Sequence, residues 1–480
     1  MYADTQPPFQ PPGRSAPRSP REVEVALRFG ILPELPGPAA SWPVATPPAP
    51  GTITLVTGPS GAGKTAALAA LAAACRGCRC VHLEPFPTDV SILDAVGPGM
   101  PLATALAVLS ACGLGEPRLW LRSFSLLSQG EQFRARLARA ISLHSRRPTG
   151  PLLCDEFCTG LHRRAARAVA FNLRKLVTRW RLALVVATAH DDIAADLRPD
   201  LIIRLSGRGP AVTQPGRWPA TGGAPVDVRI AAGTLADYYE LADRHYRPAR
   251  RPGCVDRVFV LRETGGDLLG VVVYGHAPLE LALRNRATGG RFIRNAGRLN
   301  REMRILRRLI IHPDVRGCGL GHRLVRETLP QAGTPYVECL AAMGLVNPVF
   351  EKAGMQRIGL CELPPRQERV VGRIRAMGLD PLGPDFVDEV ARRPRLRRLV
   401  AQAVRGWYEA GTGRGASRVD GQDPFTLART FRQIAGSRPV YYLWQGDRTG
   451  PGDTAAGDEG GRSRTWTADT RPPSTAESLP

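Results

Sequence analysis

The chain has 480 residues, 43% of them apolar, and a formal net charge of +22. That length accommodates two to three domains with separate cores. No stretch reaches the roughly eighteen consecutive apolar residues of a membrane span, and the N-terminus carries no apolar signal core, so a cytoplasmic protein with no membrane segment is expected.

Sixty-two of the 65 basic residues are arginine, and the only lysines are Lys64, Lys175 and Lys352. Arginine spread over every region reflects coding bias as readily as a nucleic-acid face, so the charge alone does not assign a partner. Ten cysteines in a chain of this kind do not make a disulfide framework.

In chain order, residues 1–21 are rich in Pro, Ser and Arg and are expected to be disordered. A second Pro-rich stretch runs from Gly30 to Gly51, and from Gly51 to about Ser206 strands and helices alternate, which predicts a parallel, helix-covered sheet. The apolar run 53–56 leads into Gly58-Pro59-Ser60-Gly61-Ala62-Gly63-Lys64-Thr65, the spacing of a phosphate loop. A lysine kept there amid so much arginine fits a compact ammonium reaching nucleotide phosphates. Cys75, Cys78 and Cys80 follow, with His82 the nearest further ligand; small buried thiols are favoured over a metal site. Next come Leu127-Ser128-Gln129-Gly130-Glu131 before an Arg/Ala-rich helix, and an apolar strand ending in Asp155 and Glu156. A further apolar strand ends in Thr188-Ala189-His190.

A Gly/Pro-rich segment, 207–225, reads as a linker. A second α/β unit, 226–363, begins with a helix at 235–245. Strands at 257–262 and 268–274 are joined by a turn at 263–267, and a strand at 305–311 precedes Arg316-Gly317-Cys318-Gly319-Leu320-Gly321 and a helix. Residues 364–445 read as helical with a short strand at 440–443, and 446–480 as a disordered tail. Arg392, Arg393, Arg395, Arg397 and Arg398 could grip RNA or DNA, with a solvated helix face the favoured alternative.

The four motifs between 58 and 190, in that order, resemble the ABC-type ATPase family over 22–206. The resemblance implies that Gly58, Ser60, Gly61, Gly63, Lys64 and Thr65 bind ATP, and that Thr65 and Asp155 hold Mg²⁺. It gives Glu156 the attacking water and His190 the γ-phosphate. Ser128 and Gly130 would meet the ATP of a second subunit in a head-to-tail homodimer. Two departures stand out. His162 ends the loop where the family carries an aspartate, and no Mg²⁺-sensing glutamine is evident, with Glu84 or Asp89 in that region.

The loop at 316–321, with Asn347-Pro348-Val349-Phe350-Glu351-Lys352-Ala353-Gly354-Met355 downstream, resembles the GNAT family of N-acetyltransferases over 226–363. It implies acetyl-CoA binding by Ile311, Arg316, Gly317, Gly319, Gly321 and Asn347. Phe350 stands where that family often has a tyrosine general acid, leaving Cys318, Cys339 or solvent for that role. Glu302 and Glu338 are the best carboxylates for a base, ahead of His312 and His276. The expected fold class is therefore α/β: an ABC-type P-loop ATPase domain, a GNAT-like α/β domain and a small helical C-terminal region. The expected function is ATP hydrolysis joined to acetyl transfer onto an unnamed amine, with ATP-driven dimerisation as a gate. The alternatives are an RNA-modifying, nucleic-acid-associated machine and an ATPase regulated by a non-catalytic acetyl-CoA sensor. A transporter energiser is disfavoured.

Overall fold

A computed structural model describes residues 19–30, 42–44, 46–146, 150–206, 210–219, 226–246, 252–412 and 416–446. The stretches expected to be disordered at the two ends lie almost wholly outside these residues. The exception is a helix, Pro20–Arg28, that Ser19 and Glu22 start with a reciprocal capping box.

Two sheets organise the chain. The first contains β1 (Ile53–Thr57), β2 (Arg79–Cys80), β3 (Leu152–Cys154), β4 (Leu184–Thr188), β5 (Leu201–Arg204) and β6 (Val212–Pro215), in the order β2-β3-β4-β1-β5-β6. All neighbours are parallel except β5 and β6. β6 falls in the segment read as a linker; it pairs along the full length of β5, so part of that segment is an edge strand.

The strands read as unbroken apolar runs because both faces are covered. Ile53, Leu55, Leu184 and Val186 enter a core beneath the helices Leu102–Ala111, Gln129–Arg146 and Arg163–Trp180. Val56, Val185 and Ala187 enter another core, against Leu68 and Leu71 of the helix Lys64–Ala74. Alternation along the strand thus sorts side chains to two layers. Each fully buried Leu or Val contributes about 1.5–3 kcal/mol.

The second sheet has β7 (Val228–Ala232), β8 (Val255–Glu263), β9 (Leu268–His276), β10 (Met303–Ile311), β11 (Tyr336–Ala341), β12 (Gln356–Leu360) and β13 (Val440–Gln445). Their order is β12-β13-β11-β10-β9-β8-β7, with β10 and β11 the parallel pair. The helix Leu320–Thr328 makes the crossover between those two strands, as a parallel pair requires. The expected hairpin is present, its turn closed by Glu263 N donating to Asp267 O at 2.9 Å. The short strand expected at 440–443 is β13, and it lies between β11 and β12 in this sheet. Four longer helices between β12 and β13, Pro365–Ala376, Phe386–Arg392, Pro394–Thr412 and Pro424–Gly436, share a core of their own around Phe386, Val400 and Phe431.

The helix Arg163–Trp180 joins the two sheets' cores. Leu173 and Val177 pack into the first, whereas Ala168 and Phe171 pack into the second. In return Met343 and Val346, after β11, pack against the first core. Arg164 pairs with Glu263 at 3.0 Å and with Asp267, on the β8–β9 hairpin.

Candidate functional site

Two constellations carry chemistry. The first surrounds the end of β1. A side chain at Gly58 would put its Cβ 2.2 Å from Leu205 O, so glycine is required there for space. Gly61 and Gly63 are left-handed, at φ +79° and +91°, and Gly63 caps the helix Lys64–Ala74, whose free N–H groups face the loop. Lys64 Nζ donates to Gly58 O and Pro59 O, both at 2.8 Å, which folds the ammonium back over the loop.

Thr65 Oγ1 donates to Asp155 Oδ2 at 2.6 Å, and Glu156 N donates to Asp155 Oδ1 at 2.9 Å. This brings the phosphate loop and the acidic strand end together, although β4 separates β3 from β1. Glu156 and Cys158 are left-handed at φ +48° and +60°, a conformation that costs L-residues about 1–2 kcal/mol each. The spacing of carboxylates did not foretell that strain; only backbone geometry reveals it. His190 is half-buried beyond β4, with its N–H donating to Thr188 Oγ1 at 3.1 Å. Next to it, burial works to raise the Asp191 carboxyl, but hydrogen bonds from Thr57 and Arg204 hold it below the ordinary range.

Ser128 N and Oγ both donate to the Glu131 carboxylate at 2.9 Å, starting the helix that follows. Gly130 lies against the loop after Glu156: a Cβ there would sit 3.0 Å from Leu161 Cδ2. His82, weighed only beside the cysteines, feels both Asp155 and Glu156, although burial dominates and lowers its pKa. Glu84 is buried and paired with Arg79 at 2.7 Å and Arg139 at 3.9 Å. Cys78 Sγ donates to Cys75 O at 3.1 Å. Burial pushes the Cys78 thiol up to about 11 and that of Cys80 to about 12. Among the described residues no group of three or more His, Cys, Asp or Glu is arranged to hold a metal.

The second constellation lies where β10 and β11 part. Their pairing ends at Leu306 and Cys339, and β10 bulges between Leu306 and Arg308. The end of β10 lines a cavity of about 460 Å³, to which Ile311, Arg316, Gly317, Gly319, Gly321 and Asn347 all contribute. Gly317 and Gly319 are left-handed at φ +82° and +89°, and Gly319 caps the helix Leu320–Thr328. Arg316 lines the cavity with its guanidinium engaged: it donates through Nε to Ile311 O (2.9 Å), through Nη1 to Gly115 O (2.9 Å) and through Nη2 to Arg244 O (2.8 Å). The opposite wall comes from the first sheet's helices and includes Lys175 and Arg179, which the motifs did not single out.

The four base candidates lie outside this cavity's lining or are otherwise engaged. Glu302 pairs with Arg291 at 2.7 Å, and that hydrogen bond holds its carboxyl below the usual range. Glu338 is fully buried, 3.2 Å from Arg284 Nη1, and accepts from the Tyr441 hydroxyl at 3.0 Å. Desolvation raises its carboxyl to about 7 against the pull of Arg284. His312 has its pKa lowered by burial, and His276 Nδ1 is buried without a hydrogen-bond partner among the described residues. Phe350 packs 5.3 Å from the ring of Tyr442, whose hydroxyl donates to Glu351 Oε1 at 2.7 Å. Burial pushes the Cys318 thiol to about 12 and the Cys339 thiol higher still.

Of the five clustered arginines, Arg392 and Arg393 pair with Glu389 at 3.3 and 2.5 Å, and Arg397 is half-buried against Ala391 O.

No family model matches the chain, and no curated protein matches it. Among solved structures it is similar to the dimeric structure of MJ0796, a bacterial ABC transporter cassette. That likeness is 18% identity over 36% of this chain and 88% of that one, with a TM-score of 0.29. It is also similar to cbiO1 from Clostridium perfringens, part of the ABC transporter complex cbiONQ, at 15% identity over 35% of this chain and 78% of that one (TM-score 0.27). A putative metal-chelate type ABC transporter in an inward-facing conformation gives 19% identity over 38% of this chain and 83% of that one (TM-score 0.28).

Proposed function

We propose that the first unit is an ABC-type ATPase and that the second binds acetyl-CoA and transfers its acetyl group. The observation that carries the first part is the 2.6 Å contact of Thr65 with Asp155, with Glu156 adjacent, at the mouth of a glycine loop. Thr65 and Asp155 fit Mg²⁺, which takes few protein ligands and completes its shell with phosphate and water. The bound ion would neutralise charge developing on the phosphates. Lys64 leaves its loop carbonyls for the β- and γ-phosphates, Glu156 orients the attacking water, and His190 reaches the γ-phosphate from the end of β4. Ser128 and Gly130 offer a second phosphate contact to another copy, so ATP favours a head-to-tail homodimer.

Support for the second part is the parting of β10 from β11 above two left-handed glycines and a helix N-terminus, a cradle for a pyrophosphate. A sensor without transfer is the second reading. It is favoured by Phe350, which has no proton to give, and by the pairing of Glu302 and Glu338 with arginines.

The test is ATP hydrolysis by the full chain and by Glu156→Gln, each with and without acetyl-CoA, together with acetyl release from labelled acetyl-CoA onto amine mixtures. Loss of turnover in Glu156→Gln establishes the ATPase. Acetyl transfer at enzymatic rates establishes the transferase, and binding without transfer establishes the sensor.

A further inference from the structure

We infer that the cavity beside β10 is a composite site, in which the first unit supplies Lys175 and Arg179 to the phosphates of a coenzyme A molecule cradled by the second. This rests on the acetyl-CoA reading above and extends it to residues outside the glycine loop.

The chain uses lysine three times against 62 arginines. One lysine, Lys64, is in the phosphate loop of the first unit. The other two both line this one cavity from opposite halves: Lys175 on the helix Arg163–Trp180 and Lys352 on the helix Val349–Lys352. An ammonium is a compact charge with three rotatable donors, suited to phosphate oxygens in varied positions. Arg179, Arg244 and Arg316 also line the cavity, and no carboxylate is among the described lining residues. Neither lysine forms a salt bridge among the described residues; Lys175 instead lies 3.9 Å above the Phe171 ring.

The field of these cations is felt within the site. His322, at the start of the helix Leu320–Thr328, has its pKa lowered first by burial and then by Arg326, Lys352 and Lys175. Burial lowers the Lys175 pKa as well, and the neighbouring Lys352 lowers it further. A polyanion relieves this repulsion. Coenzyme A carries a pyrophosphate and a ribose phosphate, and the glycine loop can address only part of that charge.

Asn172 is a second, independent sign of a ligand. It is 3% exposed, lines the cavity, and donates through Nδ2 to Arg316 O at 3.1 Å, yet its Oδ1 is buried with no partner among the described residues. An acceptor left open in a wall of cations suits the amide or amine N–H of the same ligand.

The experiment is calorimetric titration of acetyl-CoA into the full chain and into Lys175→Ala, Lys175→Gln, Arg179→Ala and Lys352→Ala, with ATP affinity and melting midpoint measured alongside. Losing one charge-assisted contact is expected to weaken acetyl-CoA binding about tenfold or more and to flatten its salt dependence. ATP affinity in the absence of acetyl-CoA should stay unchanged. Wild-type affinity in all the Lys175 and Arg179 variants, with weakening only in Lys352→Ala, overturns the composite site and leaves the acetyl-CoA reading standing. Failure of the wild type to bind acetyl-CoA overturns both.

Discussion

Arg316 gives the sharpest test of how the two units are joined. Lysine at this position keeps the charge and loses the fork. The guanidinium now bridges Ile311 O on its own strand, Gly115 O in the first unit and Arg244 O in the second. A lysine ammonium at the end of a longer stem can serve one of these carbonyls. The contact with Gly115 is partly buried and charge-assisted, worth about 1.5–3 kcal/mol; the solvent-edge contact with Arg244 adds about 0.5–1 kcal/mol. Arg316→Lys should therefore weaken the joint itself by about 2 kcal/mol, the Gly115 share, a drop in melting midpoint of about 4–8 °C for a unit of this size. Scanning calorimetry of the full chain measures the drop, and titration of acetyl-CoA under the same conditions measures binding. An unchanged midpoint with acetyl-CoA affinity lost would refute the reasoning, because Arg316 would then serve the ligand and not the joint.

Gly58→Ala should abolish ATP binding, since its Cβ would meet Leu205 O at 2.2 Å, whereas Gly61→Ala has open space and bears only the left-handed cost of about 1–2 kcal/mol. Equal ATP affinities for the two variants would contradict that ordering. Arg164→Ala removes pairs with Glu263 and Asp267 that are partly open to water, so a salt-sensitive loss of about 1 kcal/mol or less is expected in urea melts. Glu338 is raised to about 7 by burial, so the folded chain keeps a proton that the unfolded chain releases near pH ~4.3. Its contribution to stability is complete below that lower value and is lost as pH rises to about 7, with no further change from this group above it. Glu338→Gln should remove this slope from urea midpoints measured between pH 4 and 8; the same slope in the variant would assign it to another group.

The phosphate-loop half was legible because each of its motifs is a local run in which the backbone geometry dictates the residue. Gly58 permits a close approach, Gly63 makes a left-handed cap, and Asp155 stands at a strand end. The glycine loop of the second unit was legible for the same reason. What spacing could not reveal is pairing across distance. β13 enters the second sheet between β11 and β12 after some eighty residues of helical insertion, and nothing near Val440 in sequence names its neighbours. β6 was hidden because Pro, Gly and Gln suit a linker as well as an edge strand. Glu338 read as a candidate base, with a structural salt bridge the favoured alternative; its partner Arg284 lies on a short helix after β9, too far in sequence for a pairing rule to name it. In the sequence Lys175 is only one of three lysines; its place in the cavity wall depends on residues distant in sequence, such as Lys352 and Asn347.

That helix also determines what coupling between the sites must look like. It starts directly after the loop that holds Glu156, and Arg163 at its first turn pairs with Asp192, two residues beyond His190. Twelve residues on, about 18 Å along the axis, it presents Lys175 to the cavity. Both of its long faces are packed, one in each core, so it cannot rotate without unpacking Leu173 and Val177 or Ala168 and Phe171. Under the proposed function, a phosphate held by Lys175 and an ATP held beside Glu156 would both act on this one rigid element. Their effects must be reciprocal: the factor by which acetyl-CoA changes ATP affinity equals the factor by which ATP changes acetyl-CoA affinity. Titrating each ligand into Glu156→Gln, which is expected to hold ATP without turnover, with and without the other present, measures both factors. Equal factors differing from one, and returning to one in Lys175→Ala, establish coupling through this helix. Factors of one in the parent chain would show that the helix is a rigid strut between two independent sites.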